Sequence, residues 1–328
     1  LITLVLDLKI RVVLFLMDSN WSSPAFRGKR ALVLGASGFI GQAVARALAH
    51  AEADLIVADR RPQQSGTPGK HLIADLLPEG SAATLIREVQ PDIVFNLAGY
   101  GIDRTQRDAA LAERINGSLA GEAARAASHL KSDWKGLRFV HVGSALEYGV
   151  ASGDLDEASE PKPTTLYGET KLAGTLAVAR AGPLCLTARL FTIYGPGEIE
   201  GRLLPSLAEA ARSGRHLPLT EGLQQRDFTY VGDVAEGLLR LGALSPPDQL
   251  EPIVNLATGE LQTVKHFVTE AARVLGLRLG QLGFGELPTR VEEMAHLPVA
   301  VHRLHRRTGW LPTTSIAQGV LESMETYV

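Results

Sequence analysis

The chain has 328 residues, with 33 Lys and Arg against 36 Asp and Glu and a formal net charge of −3. That near-balance excludes a polybasic nucleic-acid or membrane-surface binder. One cysteine, Cys185, excludes an internal disulfide, a cysteine-rich zinc site and a thiol-redox pair, and points to a reducing, cytoplasmic setting. Apolar residues at 45% and charged residues at 21% describe an ordinary globular protein, long enough for two lobes or one large α/β unit.

Residues 1–16 are strongly apolar but are interrupted by Asp7, Lys9 and Arg11. This fits neither a membrane span of roughly 20 apolar residues nor a signal peptide, whose positive charge precedes its apolar run. The chain opens on Leu1, and Met17 begins a polar stretch. Residues 1–27 are therefore expected to lie outside the fold, with 1–16 an artefact of where the chain was started; the alternative is an extra N-terminal strand or helix covering a surface groove.

From Lys29 the pattern becomes regular. Short apolar runs at 31–34, 54–59, 70–74, 92–97, 138–143 and 184–190 alternate with helix-like segments. Continuous apolar strands alternating with helices predict βαβ units and a parallel sheet buried on both faces. After Thr192 the alternation becomes irregular, and 252–256 is expected to return to the sheet. The predicted fold is a Rossmann-type doubly wound α/β domain over 28–191, with 229–257 rejoining it. A smaller substrate lobe is assembled from 192–228 and 258–328.

The first strand runs into Gly35-Ala36-Ser37-Gly38-Phe39-Ile40-Gly41, which opens a helix. Glycines let a backbone turn sharply and approach a pyrophosphate, and the helix N-terminus offers free N–H groups. Asp59 ends the next strand, at about the distance expected of a carboxylate that holds an adenosine ribose. It favours NAD, since a 2′-phosphate would be repelled; Arg60 and Arg61 keep NADP open as the alternative. Asp75 and Leu76 follow the third strand, where the adenine edge should lie.

Tyr167 and Lys171 stand at i and i+4, on one helix face. A phenol titrates near 10, so poising it near neutrality takes about 4 kcal/mol, which a nearby ammonium and a bound nicotinamide would supply. Ser144 lies just past an apolar strand, at the carboxyl end where ligands bind in such sheets. Its hydroxyl is placed to bond the same substrate oxygen.

These motifs, with Asn96-Leu97-Ala98-Gly99, the stretch from Arg189 to Gly197, and Arg226-Asp227-Phe228 running on to Asp233, resemble an extended short-chain dehydrogenase/reductase. More narrowly, residues 29–328 resemble the NAD-dependent epimerase/dehydratase group acting on nucleotide sugars, down to Gly309-Trp310-Leu311-Pro312. The resemblance implies Ser144, Tyr167 and Lys171 as the catalytic set. It implies a cofactor site of Gly35, Ser37, Gly38, Phe39, Ile40, Gly41, Asp59, Arg60, Asp75, Leu76, Leu97, Ala98 and Gly99, with Tyr167 and Lys171. It also implies a homodimer built through a four-helix bundle from helices near 106–129 and 165–181.

Departures from the family pattern narrow the reaction. Its 4,6-dehydratases follow the catalytic hydroxyl with Asp-Glu, whereas this chain has Ala145 and Leu146, so dehydration is not expected. Epimerisation at C4, of the UDP-glucose 4-epimerase type, and reduction of an NDP-4-keto-6-deoxy sugar remain. The stretch from Gly143 to Gly149 is similar to GDP-4-keto-6-deoxymannose reductases, and Tyr100-Gly101 to CDP-linked 4-ketoreductases, which favours reduction. For the nucleotide sugar the expected contacts are Arg226, with Arg202, Arg290, Tyr100 and Thr192. Thr192 stands where the family carries Asn. Asp233 is read as a helix cap, and His141 as a core or cofactor-side histidine. His302 and His305 lack companions at metal spacing, so no metal site is expected. A reductase of non-sugar carbonyls is disfavoured by Arg226, and a non-catalytic NAD(P) sensor by the retained Ser144, Tyr167 and Lys171.

Overall fold

The structure is a computed structural model that describes residues 24–60, 66–101, 105–151, 153–245, 251–289 and 297–327. Its strands, in chain order, are β1 (Arg30–Leu34), β2 (Asp54–Asp59), β3 (Lys70–Ile73), β4 (Ile93–Asn96), β5 (Phe139–Ser144) and β6 (Cys185–Leu190). Then come β7 (Thr192–Tyr194), β8 (Leu217–Leu219), β9 (Gln225–Tyr230), β10 (Ile253–Leu256), β11 (Leu261–Thr263) and β12 (Leu282–Phe284). Seven of them make one sheet in the order β10-β6-β5-β4-β1-β2-β3, every neighbouring pair parallel. The order reverses between β1 and β4, and that reversal opens a crevice beyond their carboxyl ends.

The unbroken apolar runs have a direct cause. Along β1, Ala31 and Val33 enter one core, whereas Leu32 and Leu34 enter the other. The first core packs under helices α1 (Phe39–His50) and, later in the chain, Val231–Gly242; the second packs under α2 (Ser81–Val89) and the helix Leu119–Ser128. Cys185 is fully buried in the second core with its thiol pushed up to about 12 by burial, which suits the packing role expected of it.

Between β4 and β5 the chain forms α3 (Ala109–Ala112), a π-helical stretch at Glu113–Ser118, and α4 (Leu119–Ser128). Helix α5 (Leu166–Ala179) carries Tyr167 and Lys171, starting at Thr165, whose hydroxyl caps the Gly168 amide at 3.0 Å. The remaining helices are α6 (Leu203–Ser213), α7 (Val231–Gly242), α8 (Val264–Leu275), α9 (His302–Thr308) and α10 (Ile316–Tyr327). Strands β11-β9-β7 form a small sheet and β12-β8 another, and residues of this irregular C-terminal half line a second cavity.

The fold starts earlier than residue 28. Phe26 is fully buried against Phe95 and Trp134, at ring-centroid distances of 6.2 and 5.2 Å. The expected N-terminal extension therefore shortens at its end; residues 1–23 lie outside the described residues. No described helix is long and apolar enough to cross a membrane.

Candidate functional site

At the end of β1 the chain turns through Gly35, whose φ of +79° suits glycine. A Cβ there would also come within 2.7 Å of the Ala98 amide nitrogen. A Cβ on Gly41 would overlap the Gly35 carbonyl oxygen, so Gly41 sets the close seat of α1 on β1. Gly38 is the N-cap of α1, with no side chain capping the first-turn amides, and a Cβ on it would meet only the Gly35 oxygen, at 3.4 Å. These three glycines thus leave uncapped N–H groups beside open space, which is what a pyrophosphate requires.

That space is a cavity of about 510 Å³ lined by Gly35, Ser37, Gly38, Asp59, Arg60, Leu76, Leu97, Ala98 and Gly99, as expected, together with Ala58, Ala74, Leu77, Ile115 and Leu119. Asp59 Oδ1 accepts from the Ser37 amide (3.2 Å) and hydroxyl (2.7 Å). Its Oδ2 is buried and has no partner among the described residues. An orphaned carboxylate oxygen is costly unless a ligand hydroxyl meets it, so the residues present fit a nucleotide cofactor. Phe39 and Ile40 pack against the core, outside this lining. Asp75 is also outside it: its Oδ1 accepts the Leu77 amide at 3.1 Å, a turn that presents Leu76 and Leu77. Arg61 lies outside the described residues.

Sequence reasoning missed Arg114. From the π-helical stretch its guanidinium donates to the carbonyls of Leu76, Leu77 and Pro78 at 2.7–2.8 Å and pairs with Glu122 at 3.1 Å, pinning that wall of the cavity. The signal was faint, since Ile115-Asn116-Gly117 merely interrupts a helical pattern. Asn116 is buried and grips Tyr100 through both backbone groups, at 2.9 and 2.7 Å.

Ser144 and Tyr167 are brought together, and the Ser144 hydroxyl favours the ionised phenol. Tyr167 is half-buried and lines a second cavity of about 1060 Å³ with Ser144. Lys171 is buried behind it and donates to the Val142 carbonyl at 2.6 Å. The protein alone pushes the phenol up to about 12, chiefly by burial and then by the charge of Glu147. The expected lowering draws on the Lys171 ammonium together with a bound nicotinamide; without the cofactor, burial also brings Lys171 down to about 8. Stripping water dominates both groups, and a lower phenol pKa needs the cofactor's positive charge.

The second cavity holds Arg202, Arg226 and Thr192 as expected, with Gln106, Arg107, Leu217–Leu219 and Thr220 in addition. Its wall carries Gly101 rather than Tyr100. Arg290 lies outside the described residues. Ala145, Leu146, Leu155, Phe191, Leu297 and Val299 form an apolar patch beside Ser144.

Three further readings are settled by geometry. His141 is fully buried, 3.1 Å from the Asn96 amide nitrogen, and burial beside Lys171 holds its pKa well below the usual value. Asp233 caps nothing on its own helix: its oxygens accept the Thr314 amide (2.9 Å) and hydroxyl (2.7 Å). His302 does have companions, because folding gathers Asp156 and Glu157 beside it from far away in sequence, within 4.8 Å of one another. Local spacing cannot show such a cluster.

Glu198, after the Tyr194-Gly195-Pro196-Gly197 turn, is 8% exposed, and burial pushes it up to about 7 although Arg202 pulls it down. The folded protein then keeps a proton that the unfolded chain releases above its ordinary 4.5. Stability is full below pH 4.5 and falls as pH rises through 7, by up to about 3 kcal/mol. Glu198→Gln should remove that fall; denaturant midpoints at pH 4.5 and 8 check it, with the variant the more stable at pH 8.

The chain is 30% identical over 329 residues to the dTDP-6-deoxy-L-talose 4-dehydrogenase (NAD(P)(+)) of Kitasatospora kifunensis, covering 93% of this chain and 96% of that protein. It is 23% identical over 353 residues to the dTDP-L-rhamnose 4-epimerase of Burkholderia thailandensis, covering 92% and 95%. Among solved structures it is similar to RMD from Pseudomonas aeruginosa complexed with NADPH, at a TM-score of 0.73 and 25% identity over 91% of this chain and 98% of that one. Residues 31–257 match the NAD dependent epimerase/dehydratase family. The glycine turn, the orphaned Asp59 oxygen and that match agree: the chain is an enzyme belonging to the NAD dependent epimerase/dehydratase family.

Proposed function

We propose that the enzyme reduces the C4 carbonyl of an NDP-4-keto-6-deoxy sugar, with Ser144, Tyr167 and Lys171 as its catalytic set. The observation that carries this reading is the apolar patch beside Ser144, to which Ala145 and Leu146 contribute. Neither residue can act as an acid or base, so the site lacks the carboxyl groups with which water would be eliminated there. What it retains suits hydride chemistry. The patch from Leu155 to Val299 suits a methyl group better than a hydroxymethyl or carboxylate at C5. The similarity to a 6-deoxy-talose 4-dehydrogenase and, at 28% identity, to the GDP-6-deoxy-D-mannose reductase of Pseudomonas aeruginosa points the same way.

When bound, the nicotinamide cofactor supplies the hydride. Tyr167 donates its proton to the C4 oxygen as the carbonyl becomes a hydroxyl, and Ser144 holds that oxygen by a hydrogen bond. Lys171, on the same helix face, supplies positive charge and a donor for the nicotinamide ribose. Arg226 and Arg202 hold the diphosphate, joined in this reading by Arg290. Asp59 receives the adenosine ribose. NAD is preferred over NADP because a 2′-phosphate would meet a carboxylate, and Asp59→Ala should narrow that preference by about tenfold in kcat/KM. In the same reading 28–191 and 229–257 bind cofactor while 192–228 and 258–328 bind the sugar nucleotide. Two copies pair through α4 and α5, where Leu176 is 39% exposed, and the setting is cytoplasmic.

The test is a panel of 4-keto-6-deoxy sugars carrying different nucleotides, followed by loss of reduced-nicotinamide absorbance. Stoichiometric oxidation of NADH or NADPH is the expected result. Interconversion of C4 epimers with no net cofactor consumption would instead support the 4-epimerase, the reading that the rhamnose epimerase relative favours. No turnover of any nucleotide sugar would sink both.

A further inference from the structure

We infer that Glu147 is a positioning residue of this site: locked by Arg189 and Thr175, it holds Ser144 by the backbone and keeps one negative charge beneath Tyr167 and Lys171. The inference rests on the proposed roles of those three side chains and adds a fourth group that touches none of the reacting atoms.

The geometry is fully specified. Glu147 has no exposed side-chain surface and closes the single 3-10 turn Ala145–Glu147 that Ser144 caps. Its Oε1 accepts the Ser144 amide at 2.8 Å and the Thr175 hydroxyl at 3.0 Å, and its Oε2 accepts Arg189 Nε at 2.9 Å. Three donors from β5, α5 and β6 thus fix one carboxylate. A Cβ on Gly143 would stand 2.6 Å from Oε1, so the absence of a side chain at 143 is what admits Glu147. Thr175 lies one turn beyond Lys171 on α5, which ties the carboxylate to the helix that presents the reacting groups.

The charged and titratable groups facing this centre define its effect. Tyr167 feels Glu147, the Ser144 hydroxyl and Arg202; Lys171 feels Glu147 and, from β5, His141, which is held neutral. Behind Glu147 stand Arg189 and the Tyr148 ring, the guanidinium 4.4 Å from the ring centroid. In both Tyr167 and Lys171 the carboxylate favours the protonated form. Reduction of a ketone consumes a proton from Tyr167, so this charge keeps the site loaded for that direction as pH rises.

Glu147→Gln tests this, since Gln keeps an acceptor oxygen for Ser144 and removes the charge. Two readouts apply. In NAD-bound protein without sugar, the tyrosinate absorbance titration of Tyr167, taken against Tyr167→Phe, should move down by about one unit. The alkaline limb of kcat for ketone reduction should move the same way, giving about tenfold loss above the limb and little loss below it. Glu147→Asp keeps the charge and should restore the titration. Thr175→Val removes a hydrogen bond only and should leave it in place. If Glu147→Gln alone does not fold with Arg189 unpaired, Glu147→Gln with Arg189→Gln carries the test, because it removes the carboxylate and leaves no buried charge unpaired. An unshifted phenol titration in the folded variant, or an equal shift in Thr175→Val, overturns the inference. A wild-type enzyme that reduces no 4-keto sugar overturns the functional reading, and the phenol titration still decides Glu147.

Discussion

Replacing Tyr167 by Phe should lower kcat by about 10²- to 10⁴-fold while cofactor affinity stays within about twofold. The phenyl ring keeps its packing on α5 and its place in the cavity wall, so only the hydroxyl is lost. That hydroxyl shares the cavity wall with Ser144, and the neighbouring Ala145 and Leu146 side chains offer no replacement proton. Lys171 does not step in, because it is buried and does not line the cavity that holds Tyr167 and Ser144. Stopped-flow loss of reduced-nicotinamide absorbance at saturating sugar separates chemistry from binding. Turnover within about threefold of wild type would remove Tyr167 from the reaction. Equal losses in kcat and cofactor binding would mean that the hydroxyl holds the cofactor rather than moves a proton.

Why the sequence was readable in one half and less so in the other follows from the kinds of constraint involved. The strand runs were legible because a sheet buried on both faces demands unbroken apolar residues, as Leu32 and Val33 show by entering opposite cores. The glycine turn was legible because each glycine answers to one steric demand, and Asp59 because the cofactor fixes its distance. Ser144, Tyr167 and Lys171 converge as their motif spacing suggested, but their electrostatics were not legible. Burial raises the Tyr167 pKa in the protein without cofactor, and depth is a property of the packed molecule that spacing does not carry. Asp233, His302 and Glu147 make the same point from another side. Their partners, Thr314, Asp156 and Arg189, lie 42 or more residues away, and one sequence carries no trace of such pairings. Arg114 escaped notice because three of its partners are backbone carbonyls, which any residue can offer.

Arg189→Met should cost about 3–5 kcal/mol of stability, the largest loss expected from a single substitution away from the cavity wall. Arg189 and Glu147 are 1% and 0% exposed, so removing the guanidinium strands a carboxylate out of reach of water, and it also removes the cation over Tyr148. Replacing both, as Arg189→Met with Glu147→Leu, should regain most of that loss, because no buried charge is left unpaired. The pair is not an optimised source of stability: Arg189 Nη1 is buried with no partner among the described residues. An imperfect buried ion pair behind Ser144 is better explained by what it does to the site than by what it adds to the fold. The double variant should therefore recover its denaturation midpoint but not its turnover, since Ser144 loses the acceptor for its amide and Tyr167 the charge beneath it. Guanidinium midpoints and kcat measured on the single and double variants check both halves. Recovery of both together would reduce the pair to a packing element, and recovery of neither would place its main role in folding.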